Sequence, residues 1–141
     1  MRAVVQRARG AKVLVDGEVT GEFSGEGLVV LIGATHDDGD EQVKKLARKV
    51  AEQRILRNEK SAVTANAPVL VISQFTLYAD TRKGRRPSWS AAAPREKAEG
   101  LVEDFIAALQ EYDLRVESGV FGADMQVELT NDGPVTLILE S

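Results

Sequence analysis

The chain contains no cysteine. That excludes disulfides, thiolate metal sites and cysteine nucleophiles together, and fits a reducing, cytoplasmic setting. Histidine is almost absent too, so any Ser-His-Asp arrangement would have to use the single residue His36. His36 is followed by Asp37, Asp38 and Asp40. A metal site needs three or four converging ligands. Three acids before a helix read more simply as capping and solubility, and we expect no metal. We also expect no organic cofactor. Gly10, Gly17, Gly21, Gly25 and Gly27 are spaced as hairpin turns rather than as a phosphate-cradling loop. Long apolar runs are missing. The longest, Leu28 to Ile32 and on past Gly33 to Ala34, is strand-sized, whereas a membrane span needs roughly 20 residues. Arg2, Arg7 and Arg9 interrupt the first ten residues, which therefore lack the apolar core of a signal peptide. A positive excess is missing as well. With 18 basic and 22 acidic residues the net charge is −4, which argues against loose, charge-driven nucleic-acid binding. One local exception is Arg82, Lys83, Arg85 and Arg86, which leaves room for a small RNA footprint.

What is present suits a single domain over residues 1–141. The chain is 43% hydrophobic and 28% charged, ordinary globular material with enough length for one core. Arg2 to Arg9 and Ala11 to Val15 alternate as strands. Asp16-Gly17 then predicts a hairpin turn, because the turn needs positive φ at both central positions. Glu18 to Glu22 returns, Ser24 to Gly27 reads as a second turn, and Gly27 to Ala34 as a strand covered on both faces. Val43, Leu46, Ala47, Val50, Ala51 and Ile55 recur at helical spacing, with Asp38 or Asp40 as the expected cap. Asn58 to Ala67 is a polar connection without clear period. Val69 to Leu77 is β-prone. Ala79 to Ser90 is irregular and basic. Pro94 opens a second helix, with Leu101, Phe105, Leu109 and Tyr112 on its buried face. Arg115 to Glu117, Met125 to Thr130 and Val135 to Leu139 read as short strands. This order predicts an α+β fold in which two main helices flank a mainly antiparallel sheet.

Two segments carry candidate chemistry. In Ser73-Gln74-Phe75-Thr76-Leu77-Tyr78-Ala79-Asp80 an apolar strand runs into a polar cluster. If the strand continues, Ser73, Phe75 and Leu77 face one side and Gln74, Thr76 and Tyr78 the other. Hydroxyls and an amide at the end of a buried strand can donate to an ester carbonyl or its oxyanion. An edge strand whose polar residues satisfy one another explains the same pattern. In Asn131-Asp132-Gly133-Pro134-Val135-Thr136, Asp-Gly suggests a tight hairpin. Pro134, however, cannot donate to the ladder where a strand should begin. A cis prolyl bond costs only about 0.5–1 kcal/mol and would turn two successive carbonyl oxygens the same way. A plain turn with trans proline is the simpler alternative.

The chain resembles the D-aminoacyl-tRNA deacylases, also called D-tyrosyl-tRNA deacylases, from end to end. The resemblance rests on Met1-Arg2-Ala3-Val4-Val5-Gln6-Arg7, on the run from Ser73 to Ser88, on Phe121 to Leu129, and on Asn131 to Thr136. It implies a barrel-like sheet flanked by helices and a homodimer with active sites at the subunit interface. It implies that Gly133-Pro134 is a Gly-cisPro element inserted into the partner's pocket. There its carbonyl oxygens would meet the substrate α-amino group and exclude L side chains. Arg7 matches a position that holds this element, and Thr136 lies beside it. Ser73, Gln74, Phe75 and Thr76 match the signature that lines the pocket. The resemblance assigns activation of water to the 2′-hydroxyl of the tRNA's terminal adenosine, and neither motif holds a protein base with a pKa near neutrality. Phe121 and Met125 are expected to enclose that adenosine. The implied partners are the aminoacyl-tRNA acceptor end and a second copy of the chain, with no membrane.

The chain departs from the family's usual pattern in two places. The Asn58 to Ala67 connection is shorter than usual and lacks a Gly-Lys-Met-Asn-like stretch. Trp89 stands where phenylalanine is common. Two other readings stay open on sequence grounds. One is a non-catalytic RNA-binding β-domain using Arg82 to Arg86. The other is a related deacylase of looser chirality acting on L-alanyl-tRNA.

Overall fold

The computed structural model describes residues 1–141. Strands β1 (Arg2–Val15) and β2 (Glu18–Gly33) form one long antiparallel hairpin. Its turn, Asp16-Gly17, has φ of 50° and 79°, the positive values that the sequence predicts there. Strand β5 (Gln126–Glu140) pairs antiparallel with the other side of β1. Strand β3 (Val69–Ser73) runs parallel to β2, and β4 (Val116–Ser118) parallel to β3. The sheet order is therefore β4-β3-β2-β1-β5, with the two long pairings antiparallel and the two short ones parallel.

Three sequence expectations change here. The strands predicted as Arg2 to Arg9 and Ala11 to Val15 are one strand, and Ser24 to Gly27 is a bend rather than a turn. Arg9 pairs with Glu26 and Ala11 with Phe23, so two steps along β1 answer three along β2 and β2 carries one extra residue. Gly10 and Gly25 take φ of 80° and 73° at this point. A bulge of this kind bends the hairpin and curls the sheet instead of ending it. The third change lies in β5. Gln6 pairs with Thr136 and Ala8 with Asn131, so two steps along β1 answer five along β5. Residues 132–135 are extruded as a kink. No hairpin forms there, because β5 resumes its pairing with β1 in the same direction on both sides of the kink.

Helices α1 (Asp40–Glu52) and α3 (Arg95–Gln110) cover one face of the sheet. Their stripes, including Val43, Leu46 and Val50 of α1 and Leu101, Phe105 and Leu109 of α3, meet Val5, Leu28, Val30 and Ile32 in the main core. Each large aliphatic residue removed from water there contributes roughly 1.5–3 kcal/mol. The opposite face holds a smaller core, built from Ala8, Val13, Phe23, Val29, Leu70 and Ile72 under Met125, Val127 and Leu129. The curl of the hairpin closes this second core.

Helix starts differ in detail from expectation. Gly39 is the N-cap of α1, and its amide donates to the Gln42 side chain at 2.9 Å. Asp38 does not cap. It is buried, and accepts from the Met1 ammonium and the Thr35 amide, both at 2.7 Å. Pro94 is the N-cap of α3, one position before its first turn. The polar connection contains a 3-10 turn at Arg57–Glu59 and a single helical turn, α2 (Ala62–Ala65). The Ser61 hydroxyl caps α2 by accepting from the Thr64 amide at 3.1 Å. No helix is long and apolar enough to cross a membrane.

Candidate active site

A cleft of about 590 Å³ opens beside the end of β3. Ser73, Gln74 and Phe75 form one wall, Trp89 and Arg95 another, and Phe121 and Met125 a third. The lining is mostly apolar, the usual character of a small-ligand site with a few polar groups to fix orientation.

The polar wall arises because β3 stops where β2 stops. The Gln74 amide still donates to the Ile32 carbonyl at 2.8 Å. The chain then turns into a 3-10 helix over Phe75–Tyr78. The expected strand alternation of Ser73, Phe75 and Leu77 against Gln74, Thr76 and Tyr78 therefore does not hold. Gly33 is the local reason. A Cβ there would lie 2.8 Å from the Gln74 carbonyl oxygen and 3.3 Å from Leu77 Cβ, so only glycine lets the turn settle on the end of β2. Arg2 fastens the turn from the other side. Its guanidinium donates to the Leu77 carbonyl at 2.7 Å and to Glu140 at 2.6 Å, and lies 4.7 Å above the Tyr78 ring.

Within the turn, Gln74 Nε2 donates to the Thr76 hydroxyl at 2.5 Å. Thr76 does not line the cleft. The amides of Phe75 and Thr76 open the 3-10 turn, where the first N–H groups have no carbonyl within the turn to reach. Phe75 is half exposed and meets the Trp89 ring edge-to-face, with centroids 5.2 Å apart. Arg95, in the first turn of α3, stacks over Phe121 at 6.0 Å. His36 is exposed outside the cleft, where its Nε2 donates to the Ser90 carbonyl at 2.7 Å.

The second signature lies elsewhere on the protomer. Gly133-Pro134 is a cis peptide at the tip of the β5 kink, and both residues are exposed. Neither lines the cleft of its own chain. The base of the kink is held on every side. Arg7, whose side chain is 11% exposed, donates through Nε to the Asp132 carbonyl at 3.0 Å and through Nη1 to the Ile55 carbonyl at 3.1 Å. Arg57 grips the Asp132 carboxylate with two hydrogen bonds, at 2.8 and 3.3 Å. The Arg57 guanidinium beside Asp132 holds that carboxyl below its ordinary pKa. Asn131 spans the kink, donating to the Thr136 hydroxyl at 2.9 Å and accepting from the Val135 amide at 3.3 Å. Gln6 also donates to Thr136, at 3.3 Å. Gly133 has φ of 124°, and a Cβ there would lie 2.7 Å from Arg7 Nη2.

The structure thus gathers Ser73, Gln74, Phe75, Phe121 and Met125 around one cleft, and places the exposed Gly133, Pro134 and Thr136, with the buried Arg7 beneath them, in a separate group. Sequence reasoning missed Arg2, Gly33, Arg57 and Arg95. Of these only Gly33, breaking an otherwise apolar strand, left a readable signal.

Comparison with known proteins agrees with this geometry. The family model described as D-Tyr-tRNA(Tyr) deacylase matches residues 4–140. A relative in Beutenbergia cavernae named D-aminoacyl-tRNA deacylase is 63% identical, covering all of both chains. One of the same name in Kineococcus radiotolerans is 60% identical, also over both full lengths. Among solved structures, the "c-Myc DNA Unwinding Element Binding Protein" superposes with a TM-score of 0.92 at 38% identity, covering 100% of this chain and 99% of that one. A probable eukaryotic D-amino acid tRNA deacylase, at 17% identity, shares the fold with a TM-score of 0.87 over 99% of this chain and 98% of its own. An α+β domain with an apolar cleft bordered by the polar residues Ser73 and Gln74 has the character of a small-ligand site. The chain belongs to the D-Tyr-tRNA(Tyr) deacylase family, and with it to the hydrolases that act on ester bonds.

Proposed function

We propose that this protein hydrolyses the ester bond of D-aminoacyl-tRNA, releasing the D-amino acid and free tRNA. The terminal adenosine enters the cleft between Phe121 and Met125, and the ester carbonyl lies against the Ser73–Thr76 turn. The opening amides of that turn donate to the oxyanion as it forms, where preorganised donors are worth most. No imidazole or thiol faces the cleft to act as base or nucleophile. The 2′-hydroxyl of the adenosine is therefore the group that directs water onto the ester. Gln74 and Thr76 position the turn, and Thr76 is not a nucleophile.

Chirality is set by a second copy of the chain. The observation that carries this reading is the Gly133-Pro134 kink, which projects away from its own cleft on a base fixed by Arg7, Arg57 and Asn131. A rigid, solvent-facing loop with no target on its own protomer suits insertion into a partner's cleft. The Gly133 and neighbouring carbonyl oxygens then receive the substrate ammonium and leave no room for an L side chain. Glycine has no side chain to reject, so Gly-tRNA is also a substrate.

The test is hydrolysis of D-Tyr-, L-Tyr- and Gly-tRNA by the purified protein, with its mass in solution measured alongside. The expected result is a dimer that cleaves the D-Tyr and Gly esters and spares L-Tyr. Equal rates on the two tyrosine enantiomers, or full selectivity in a strict monomer, overturns the arrangement.

A further inference from the structure

The deacylase reading gives no task to the ring of Phe75 or to Trp89, both of which line the cleft. Phe75 and Trp89 stand at its mouth, 55% and 42% exposed, with their ring planes at 72°. Two large aromatic rings held against each other and open to solvent offer π-faces to a flat ligand. Trp89 follows directly on a basic loop. The antiparallel bridge between Asp80 and Ser88 closes that loop at its base. Two hydrogen bonds from the Arg82 side chain to Asp80, at 2.9 and 2.7 Å, fix the near strand. Arg82 is thereby spent on Asp80, whose pKa it lowers to about 2. Lys83, Arg85 and Arg86 are fully on the surface and make no ion pair within the chain. In a chain of net charge −4, three unpaired cations on a pinned loop mark a site for a polyanion. Arg86, Arg85 and Lys83 are three, four and six residues from Trp89, so they lie within about 11, 14 and 22 Å of it along the chain.

We infer that Trp89, with Phe75 beneath it, and Lys83, Arg85 and Arg86 form a track for single-stranded RNA: the unpaired nucleotides that precede the terminal adenosine of tRNA. Stacking on aromatic faces combined with a cationic strip for the phosphates is the general chemistry of single-strand recognition. Duplex RNA would use the cations but not the rings, since its bases are already stacked. The assignment rests on the deacylase reading for the direction of the strand, but not for its binding.

Trp89 is the only tryptophan, so its fluorescence reports stacking without any need for turnover. Titrating the protein with the trinucleotide CCA should quench that emission. The apparent association constant should fall with salt, with a log–log slope of about −0.7 for each phosphate contacted. CCA has two internucleotide phosphates, so the triple variant K83Q/R85Q/R86Q should lose up to about 1.4 units of that slope. In turnover, the readout is the KM for a D-tyrosyl ester of CCA divided by that for the D-tyrosyl ester of adenosine. The ratio should be well below one in the parent. Trp89→Ala should raise it about tenfold through loss of stacking, and Trp89→Phe should largely restore it. An unchanged emission at saturating trinucleotide overturns the track even if D-Tyr-tRNA is cleaved. Loss of affinity in the triple variant for whole tRNA alone, with CCA unaffected, reassigns the cations to duplex RNA and overturns it too. Quenching by CCA in a protein that leaves every D-aminoacyl ester intact would instead defeat the deacylase reading and keep the track.

Discussion

Arg57 closes two hydrogen bonds on Asp132, from Nη2 to Oδ1 at 2.8 Å and from Nε to Oδ2 at 3.3 Å. The two residues are 75 positions apart, one in a polar connection and the other at the base of the β5 kink. The same Asp132 offers its carbonyl to Arg7. One aspartate thus ties Gly133-Pro134 to two arginines, and a two-point fork fixes direction as well as distance. Arg57→Ala should leave the fold intact, since Arg57 is largely exposed. It should lower kcat/KM on D-Tyr-tRNA about threefold to tenfold and raise the residual rate on L-Tyr-tRNA, the scale of one lost hydrogen bond. Paired rate measurements on the two enantiomers check this. A variant with unaltered discrimination would show that Arg7 alone sets the kink.

The pair also makes a statement about pH. The Arg57 hydrogen bonds and charge hold the Asp132 carboxyl below its ordinary value. Its contribution to holding the kink is therefore complete above the ordinary carboxylate range, near pH 4. It is lost only as pH falls through the lowered native value. Selectivity between D- and L-Tyr-tRNA should consequently show no titration from this pair across the neutral range. Carbon NMR of the carboxylate gives the direct check. The Asp132 midpoint should lie below that of a free aspartate in the parent and move back toward it in Arg57→Ala. A midpoint at or above about 4 in the parent would remove the pair from the account.

Gly33 yields a prediction from packing rather than charge. Its missing side chain leaves the space that the Gln74 carbonyl occupies, 2.8 Å from where a Cβ would stand. Backbone cannot swing aside as a flexible side chain would. Gly33→Ala should cost about 1–3 kcal/mol of stability, the usual penalty for overfilling a packed site. It should also push the Phe75–Tyr78 turn off the end of β2 and displace the amides of Phe75 and Thr76. Turnover should fall by more than about tenfold, a larger loss than the stability change alone accounts for. Thermal unfolding and steady-state kinetics together separate the two effects. Wild-type turnover in a folded Gly33→Ala protein would mean that the turn is not the oxyanion site.

The core was readable from the chain because it obeys simple periods. The helix stripe Val43, Leu46, Ala47, Val50 and Ala51 is buried as its spacing predicts, and Asp16-Gly17 makes its turn for the reason given by its residue types. Reading failed where two distant segments act together. Gly10 alone looks like a strand break, and so does Gly25. Opposite each other they become one bend through a continuous hairpin. The run after Ser73 is β-prone in composition, yet it turns, because its neighbour β2 has ended and Gly33 admits the turn. Asp38 looks like a cap from its position before α1, but the ammonium of Met1 and the amide of Thr35 offer it buried partners. Arg57 carried no local signal at all, since its partner lies on the far strand. The motif residues themselves were legible by resemblance. Their division between a pocket and a separate element was legible the same way, by resemblance and not from the residues' own order.

Thr76 separates the two ways of making the cleft catalytic. A nucleophilic threonine needs a base within hydrogen-bond reach of its hydroxyl. The residue that reaches it is Gln74, whose amide nitrogen donates to the hydroxyl at 2.5 Å. A donor amide cannot take the proton away. The hydroxyl therefore acts as an acceptor that fixes the Gln74 side chain, and the backbone amides of the turn remain to meet the ester. Thr76→Ala should accordingly keep turnover of D-Tyr-tRNA within about tenfold of the parent, the scale of one lost positioning hydrogen bond. Thr76→Ser, which keeps the acceptor, should be closer still. The complementary measurement replaces the substrate rather than the enzyme. D-Tyr-tRNA ending in 2′-deoxyadenosine should be hydrolysed at least about a hundredfold more slowly, the lower end of the range for loss of a positioned proton-transfer group. A Thr76→Ala protein that is dead while folded, or a 2′-deoxy substrate cleaved at full rate, would return the chemistry to the protein side chain.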